Sequence, residues 1–378
     1  MDYYISTEHM TVGYDGVPLI EDIQIGVSRG EILTLIGPNG SGKSTILKSM
    51  IRQLKLIAGT VVLDGHSISE LSERELAKKL AIVMTERMRA ELMTCWDVVA
   101  TGRYPYTGRL GLLSAEDRQK VDEAIRMVHA EDYAESPFDR ISDGQRQRLL
   151  LARAICQEPE VIVLDEPTSF LDIRHKMELL DVLKTMVSTH NVAVVMSLHE
   201  LDLAQKVSDR VVCVANRSVD RYGTPEEIFQ DDYIRQLYGI EKGSYNSLFG
   251  SLEMEPAEGT PSVFVIGGGG SGIPVYRALQ RNDISFAAGI IQENDLDWPV
   301  AHALAAEVVS VPAFQMPDTA AVEKAKELIE RCGSVICCTD TFGECNQACK
   351  ELLEYAVSRS LLTEASELFE KVKKEGNR

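Results

Sequence analysis

The chain has 378 residues, of which 44% are hydrophobic and 26% are charged, and its formal net charge is −19 at pH 7. This composition is ordinary for a globular protein of two or three domains, and the negative charge argues against a nucleic-acid partner, because phosphate binding needs clustered Lys and Arg. No apolar run approaches the ~18–20 residues of a membrane span, and the first residues lack a secretory signal pattern, so we expect other chains to supply any membrane spans.

The predicted elements of the first part of the chain alternate between strands and helices. Strands are expected over 3–14, 17–27 and 31–36, then a helix from Ser44, a strand over 60–65, and helices over 72–79, 94–102 and 114–130. A helix opens at Asp143–Gly144, and strands at 161–164, 192–197 and 210–215 are separated by helices at 173–187 and 199–207. This order predicts a mostly parallel sheet with helices on both faces.

The rest of the chain reads as a separate region. Residues 241–261 are rich in Gly, Ser, Pro and Glu without a sustained period, which is typical of a linker. The alternation then restarts and predicts a smaller Rossmann-like α/β domain over 262–360, followed by a terminal helix over 361–378. The predicted organisation is therefore a first domain over 1–240, a linker, a second domain and a helix.

Residues 37–44, GPNGSGKS, fit the pattern G-x-x-x-x-G-K-[ST] between a predicted strand and a predicted helix. The glycines allow backbone N–H groups to surround phosphate oxygens, and the helix N-terminus adds a positive field. Lys43 can reach the β- and γ-phosphates of a nucleotide, and Ser44 can ligate Mg²⁺. The motif therefore predicts a nucleoside triphosphate site.

Two adjacent carboxylates, Asp165 and Glu166, follow the apolar strand VIVL. Ligands of open α/β sheets bind at the carboxyl ends of the strands. Asp165 is the expected partner of Mg²⁺ through water, and Glu166 is the expected general base for an attacking water. The alternative is an ordinary acidic turn before a helix.

Together with SDGQ at 142–145 and the lone His199 after another apolar strand, these motifs resemble those of the ATP-binding-cassette (ABC) ATPases. The resemblance covers about residues 1–240. It implies a phosphate-loop NTPase core with an antiparallel β subdomain and a helical subdomain. It also implies that ATP lies between two copies of the chain, with the phosphate loop of one facing the SDGQ turn of the other.

The resemblance assigns roles to individual residues. Those implied to bind ATP are Tyr14 on the adenine, the phosphate-loop residues Gly37, Pro38, Asn39, Gly40, Ser41, Gly42, Lys43, Ser44 and Thr45, the trans contacts Ser142, Gly144 and Gln145, and Asp172, which couples the two sites. The implied catalytic residues are Lys43, Glu86, Glu166 and the switch histidine His199, and the implied Mg²⁺ ligands are Ser44, Glu86 and Asp165. The implied activity is ATP hydrolysis coupled to transport.

Two positions depart from the family pattern. Asp143 stands where the signature has a second glycine, and it is tolerable only if its carboxylate points away from the triphosphate. Glu86 stands where Gln is usual, and its oxygen can still hold a magnesium-bound water. Since Glu166 is present, hydrolysis is still predicted.

Residues 94–125, with GRYP at 102–105, resemble the importer ATPases for iron–siderophore, haem and vitamin B12 complexes. In that group this segment lies near the groove that receives a cytoplasmic helix of the permease. The implied partners are a second copy, an integral-membrane permease and, indirectly, a substrate-binding protein, at the cytoplasmic face of the membrane. A soluble regulatory ABC ATPase, and a helical segment that carries no substrate information, are the open alternatives.

The second domain contains Gly267, Gly269 and Gly272 in the pattern G-x-G-x-x-G between a predicted strand and helix, and Glu293 follows the next strand. An acid at that place binds the ribose in dinucleotide folds. Two interpretations remain open, a nucleotide site that gates transport and a tight turn with no ligand. An NAD-dependent enzyme with a vestigial cassette is disfavoured, because every part of the ATPase is present.

Overall fold

The structure is a computed structural model that describes residues 3–84, 90, 92–108, 110–169 and 171–369. The chain divides after Tyr238 into two compact units, here called unit 1 and unit 2. Among the residues described, we find no helix whose length and hydropathy would let it cross a bilayer.

Unit 1 contains eleven of the described strands and nine of the described helices. The strands are β1 Ile5–Tyr14, β2 Val17–Ile23, β3 Gly26–Val27, β4 Ile32–Ile36, β5 Ala58–Leu63, β6 His66–Ser67, β7 Leu80–Val83, β8 Val161–Leu164, β9 Ala193–Ser197, β10 Arg210–Ala215 and β11 Ser218–Gly223. The helices are α1 Lys43–Met50, α2 Glu73–Lys79, α3 Cys95–Ala100, α4 Ala115–Met127, α5 Asp143–Cys156, α6 Ile173–His190, α7 Leu201–Val207, α8 Pro225–Ile228 and α9 Asp231–Tyr238.

Two sheets form the framework of unit 1. The larger has the order β11-β10-β4-β9-β8-β7, and all its ladders are parallel except the one between β10 and the edge strand β11. β4, β8 and β9 are fully buried and largely apolar, as expected for strands covered on both faces. The second sheet is antiparallel and has the order β2-β1-β5-β6, with β3 paired to β1. The predicted ATPase core with an antiparallel subdomain is confirmed.

In the segment between β7 and β8, the helices α3, α4 and α5 each begin at a side chain that caps the helix N-terminus. Thr94, Ser114 and Ser142 each accept a hydrogen bond from the backbone N–H three residues later, and a side chain at that position returns the bond. Such capping boxes satisfy N–H groups that have no partner inside the helix. They place the helices α3, α4 and α5 close to the predicted starts.

Unit 2 is a four-stranded parallel sheet between two helical layers. Its strands are β12 Ser244–Asn246, β13 Ser251–Glu253, β14 Val263–Ile266, β15 Phe286–Gln292, β16 Glu307–Val311 and β17 Val335–Cys337, and its helices are α10 Ile273–Arg281, α11 Trp298–Leu304, α12 Thr319–Cys332 and α13 Gln347–Ser358. The order β16-β15-β14-β17 is that of the first strands of a doubly wound sheet. Alternate residues of β14 pack on α10 and α11 on one face and on α12 and α13 on the other.

The structure differs from the sequence-based expectation at two places in unit 2. The segment 241–261, expected to be a linker, contains the short antiparallel pair β12–β13. The helix expected over 361–378 begins later, because Leu361 and Thr363 form backbone hydrogen bonds with Val335 at the edge of the sheet. Helix is described at 365–369, and the remainder of this expected helix lies outside the described residues.

Candidate active site

Three parallel strands end at one edge of the larger sheet and bring the predicted site residues together. β4 pairs with β9 and β9 with β8, with Leu35 opposite Ser197 and Leu164 opposite Met196. The phosphate loop follows β4, the two carboxylates follow β8, and His199 follows β9. Residues far apart in sequence therefore meet in one place.

The phosphate loop joins β4 directly to α1. Gly37 has a φ of 143° and its Cα lies against the carbonyl of Val214, so that a Cβ there would collide with this oxygen. Gly37 N–H donates to the hydroxyl of Tyr238 at 3.1 Å. The hydroxyl oxygen of Ser41 is buried with no hydrogen-bond partner among the described residues. A loop of this shape with an unpaired buried hydroxyl fits phosphate oxygens.

Lys43, the first residue of α1, is buried inside this loop with 5% of its surface exposed. Its ammonium donates to the carbonyls of Gly37 at 2.7 Å and Pro38 at 3.1 Å. Burial lowers the pKa of Lys43, although the negative charges of Glu166 and Asp165 oppose that change. The loop thus holds a cation whose hydrogen bonds can pass from carbonyls to phosphate oxygens.

Asp165 lies at the centre of a hydroxyl network. Its Oδ1 accepts hydrogen bonds from Ser44 at 3.0 Å and from Ser197 at 2.7 Å, and the residue is buried. The hydroxyl of Ser197 also accepts from the N–H of Glu166 at 2.9 Å. Ser44 and Asp165 form an all-oxygen donor set, which is the chemistry that Mg²⁺ prefers. These side chains therefore fit the predicted metal site.

Glu166 and His199 are in direct contact. Glu166 Oε1 lies 2.5 Å from His199 Nε2, and Glu166 Oε2 accepts a hydrogen bond from the hydroxyl of Ser169 at 3.2 Å. The backbone of Glu166 has a φ of 47°, which is uncommon for a residue other than glycine. The bond from its N–H to Ser197 holds this turn in place.

A cleft of about 460 Å³ opens between these groups. It is lined by Tyr14, Leu19, Asn39, Gly40, Gly42, Lys43, Ser44, Thr45, Glu166 and His199. The Tyr14 hydroxyl lies 3.1 Å from Thr45 Oγ1, and the residue is 53% exposed and therefore accessible to a ligand. Glu86 lies outside the described residues, and its assignment stays a prediction.

The SDGQ turn is the start of α5 and is not part of this lining. Ser142 and Gln145 bond to each other, from Ser142 N–H to Gln145 Oε1 at 3.0 Å and from Gln145 N–H to Ser142 Oγ at 3.2 Å. The carboxylate of Asp143 turns back to Arg146 at 2.8 Å. The extra negative charge of Asp143 is therefore paired with a cation on its own helix.

Asp172 is the N-cap of α6. Its Oδ1 accepts from the N–H of His175 at 2.9 Å and lies 2.9 Å from the ring nitrogen Nδ1. The hydrogen bond from the backbone of His175 is the main reason that the pKa of Asp172 is lowered. A Cβ on Gly144 would lie 3.7 Å from Nδ1 of the same histidine. His175 thus stands between the SDGQ turn and Asp172.

Sequence reasoning missed a bridge beside His199. The carboxylate of Glu200 accepts from the ammonium of Lys176 on α6 at 2.5 Å and from the hydroxyl of Thr168 at 2.8 Å. Burial is the largest single influence on the pKa of Glu200 and acts to raise it. The hydrogen bonds from Lys176 and Thr168 together outweigh burial, so the pKa is lowered. The positions are far apart in sequence, and only the adjacency of Glu200 to His199 could have drawn attention to it. Ser197 was also missed, although it ends a strand at the same edge.

A groove of about 600 Å³ lies along α3, the turn after it and the end of α5, and Tyr104 on its rim is 77% exposed. Arg103, the residue before Tyr104, is almost fully buried, at 4% exposure. Its guanidinium donates to Asp117 at 2.9 Å, to the carbonyl of Cys156 at 2.8 Å and to Glu158 at 2.8 Å. One side chain therefore joins the turn, the start of α4 and the end of α5.

Comparisons with known proteins agree with this geometry. A family model described as ABC transporter matches residues 20–169, and the model of the MJ0874 family matches residues 286–376. The uncharacterized ABC transporter ATP-binding protein MJ0873 of Methanocaldococcus jannaschii is 41% identical over 75% of this chain and 99% of the relative. The iron(3+)-hydroxamate import ATP-binding protein FhuC of Bacillus subtilis is 36% identical over 63% of this chain and 88% of the relative.

Among solved structures, a dimeric post-hydrolysis state of the ATP-binding cassette MJ0796 bound to ADP and Pi superimposes with a TM-score of 0.53. It is 25% identical and covers 58% of this chain and 98% of that one. The cleft at the sheet edge and the similarity over 99% of MJ0873 both indicate an ATP-binding protein of this kind. The chain belongs to the family of ABC transporter ATP-binding proteins, the subunits that bind and hydrolyse ATP for transport.

Proposed function

We propose that this chain is the ATP-hydrolysing subunit of an importer for iron–siderophore complexes or a related metal chelate. Two copies close on ATP and drive an integral-membrane permease, to which they bind at the cytoplasmic face of the membrane. A substrate-binding protein delivers the chelate to that permease. The hydroxamate importer among the relatives supports this substrate class, and vitamin B12 and haem are the other substrates that the resemblance of residues 94–125 implies.

The contact between Glu166 and His199 is the observation that best supports hydrolysis. Glu166 accepts the proton of the attacking water, because its carboxylate reaches into the cleft beside Lys43. His199 Nε2 contacts the γ-phosphate once it leaves Glu166, since one ring nitrogen cannot serve both partners. Lys43 exchanges the carbonyls of Gly37 and Pro38 for phosphate oxygens.

The hydroxyl of Ser44 and the carboxylate of Asp165 hold Mg²⁺, with Glu86 as a further oxygen ligand. When bound there, Mg²⁺ neutralises charge on the phosphates. Ser197 keeps Asp165 oriented through its 2.7 Å hydrogen bond. The role of Ser44, Asp165 and Ser197 is therefore to position oxygen atoms at the mouth of the phosphate loop.

The remaining site residues act across the dimer. Ser142, Gly144 and Gln145 of one copy contact the γ-phosphate held by the other, and Asp172 couples the two sites. Their absence from the lining of the described cleft supports an action in trans. Tyr14 stacks on adenine, an interaction that its exposed ring allows.

The groove beside Tyr104 is the proposed docking surface for a cytoplasmic helix of the permease. It is lined on one side by α3 and the following turn and on the other by Arg153 and Gln157. Arg103, next to the lining residue Tyr104 in sequence, contacts the end of the helix that begins with the SDGQ turn. Permease movement and ATP contact can therefore communicate through α5.

Purification of the complex from its native membrane tests the proposal. We expect a permease to co-purify, and the complex in proteoliposomes to take up ferric hydroxamate only with Mg²⁺ and ATP, with release of orthophosphate. Uptake of cobalamin instead of the ferric chelate would replace the proposed substrate class by vitamin B12. Recovery of the chain with no membrane protein would favour a soluble nucleotide switch, and absence of phosphate release from the complex would remove the proposal.

A further inference from the structure

The Gly-rich loop of unit 2, residues 267–272, joins β14 to α10 at the carboxyl edge of the four-stranded sheet. In dinucleotide-binding folds, the N–H groups of such a loop and of the first helical turn point at the pyrophosphate. In this chain the N–H groups of Gly269, Gly272 and Ile273 already have hydrogen-bond partners. Those partners are two carboxylates from the segment after β15.

Asp297 accepts the N–H groups at the start of α10. Its oxygens lie 3.0 and 3.2 Å from the nitrogen of Gly272, and its Oδ1 lies 3.2 Å from the nitrogen of Ile273. Asp295 takes the N–H of Gly269, with both oxygens 2.9 Å from that nitrogen. The two carboxylates thus lie where a dinucleotide would place its phosphates.

These carboxylates are fixed parts of the fold. Asp297 is fully buried, with 0% of its surface exposed, and its own N–H donates to Asp295 at 2.8 Å. Burial is the main reason that the pKa of Asp297 is raised, and the nearby charge of Asp295 acts in the same direction. A phosphate arriving here would have to displace both groups and then remain beside like charges, which is unfavourable.

The glycine spacing has an explanation within the unit. A Cβ on Gly267 would lie 2.8 Å from Tyr276 Oη and 2.9 Å from Asp297 Oδ2, and a Cβ on Gly272 would collide with the ring of Tyr276. Tyr276 is fully buried and stacks on Phe286 with a centroid distance of 5.4 Å. The glycines therefore leave space for a tyrosine and a carboxylate of the same chain, and close approach of a ligand is not needed to account for them.

We propose that the Gly-rich loop of unit 2 is an anion site occupied by Asp297 of the same chain, with Asp295 as a second internal ligand, and that this occupancy closes the loop to NAD, NADP and other nucleotides. The inference concerns unit 2 alone and does not rest on the proposed transport function. Of the two interpretations that the motif left open, the turn without an external ligand is the one these contacts favour.

Hydrogen exchange on the full chain, resolved by mass spectrometry, tests the inference. We expect millimolar NAD or NADP to leave exchange of peptides covering 267–273 unchanged, while ATP with Mg²⁺ slows exchange over 37–45 in the same sample. The second result is the internal control for a ligand that does bind a phosphate loop. Slower exchange over 267–273 with either dinucleotide would overturn the proposal.

Variants test the internal ligands directly. Asp297→Asn removes the charge that the N–H groups of Gly272 and Ile273 bind, and we expect those amides to exchange about tenfold faster, because charge-assisted hydrogen bonds are the stronger ones. Asp283→Asn, an exposed carboxylate in the turn after α10, is the matched control and should leave exchange unchanged. If Asp297→Asn unfolds unit 2, Asp295→Asn supplies the second measurement, with faster exchange at Gly269. Equal exchange at the assigned amides in folded Asp297→Asn, Asp295→Asn and Asp283→Asn proteins would refute the assignment.

Discussion

Glu166 Oε1 and His199 Nε2 lie 2.5 Å apart, so the expected general base and the expected switch histidine share a single hydrogen bond. Both side chains line the cleft, and the other carboxylate oxygen of Glu166 accepts the hydrogen bond from Ser169. A γ-phosphate that attracts His199 would release Glu166 toward the attacking water. If these two roles hold, arrival of ATP would control the availability of the base.

Replacing Glu166 by Gln removes the proton acceptor while keeping the shape of the side chain. We expect phosphate release to fall by about 10²- to 10⁴-fold, the usual value of general-base assistance, and an ATP-bound dimer to accumulate in size-exclusion chromatography. The control is Glu86→Gln, which exchanges one oxygen ligand for another and should stay active. Activity in Glu166→Gln equal to that of the parent would remove the base assignment.

Replacing His199 by Ala should lower the turnover number by about 10²-fold, because one group that stabilises charge on the transferred phosphate is lost. Nucleotide affinity should change little, since Lys43 and the loop N–H groups remain. Phosphate release and equilibrium binding of a fluorescent ATP analogue separate the two effects. The control is His190→Ala, at the last residue of α6. Weaker nucleotide binding in His199→Ala with a normal turnover number would contradict the catalytic role of His199.

The bridge made by Glu200 should position His199 without touching ATP. We expect Glu200→Gln and Lys176→Met each to reduce the turnover number about tenfold, equivalent to about 1.4 kcal/mol, with the KM for ATP unchanged. Because both changes break the same contact, the double variant should lose little more than either single variant. The exposed pair of Lys206 and Asp202 on α7 provides the control, Lys206→Met. Additive losses would show that the two residues act separately.

Arg103→Ala should destabilise unit 1 by about 3 kcal/mol, because it leaves a buried carboxylate and a buried carbonyl without their donor. Urea unfolding of the full chain, followed by fluorescence, measures the change. The control is Arg174→Ala, which removes an exposed ion pair with Glu178 and should cost less than about 1 kcal/mol. Equal losses in the two variants would place Arg103 outside the structural core.

The same junction predicts a pH dependence. The pKa of Glu158 is lowered, since hydrogen bonds from Lys120 and Arg103 outweigh burial, and the pKa of Asp117 is lowered mainly by the hydroxyl of Ser114, with Arg103 assisting. A carboxylate whose pKa is lower in the folded state stabilises the fold above its unfolded pKa of about 4, and that stability disappears as pH falls through the folded value. We therefore expect Arg103→Ala to lose less stability than the parent between pH 6 and pH 3 in urea titrations. Parallel curves for the two proteins would contradict this.

The sequence predicts which residues meet at the centre of the ATP site because each motif directly follows a strand. A phosphate loop directly after a buried strand, and acids directly after another, must meet at one edge if the strands are parallel. This is why Lys43, Asp165, Glu166 and His199 could be placed together without coordinates.

Contacts between side chains of different elements were beyond sequence reasoning. Lys176 is an ordinary charged residue of α6, Glu200 is the residue just before α7, and no spacing rule connects them. The Gly-rich pattern of unit 2 was equally ambiguous, since the same glycines accommodate a phosphate or an internal side chain. Only the position of Asp297 relative to the start of α10 separates these possibilities.

The hydrogen bond from Arg103 to the carbonyl of Cys156 also affects how movement can pass along α5. Helix α5 has 14 residues and is therefore a stiff rod of about 21 Å, with the SDGQ turn at one tip and the carbonyl held by Arg103 near the other. A displacement at the turn beside Tyr104 would be transmitted along α5 to the SDGQ turn with little bending of the helix. A more flexible connection at Arg103 would allow ATP hydrolysis to proceed without any movement of the permease.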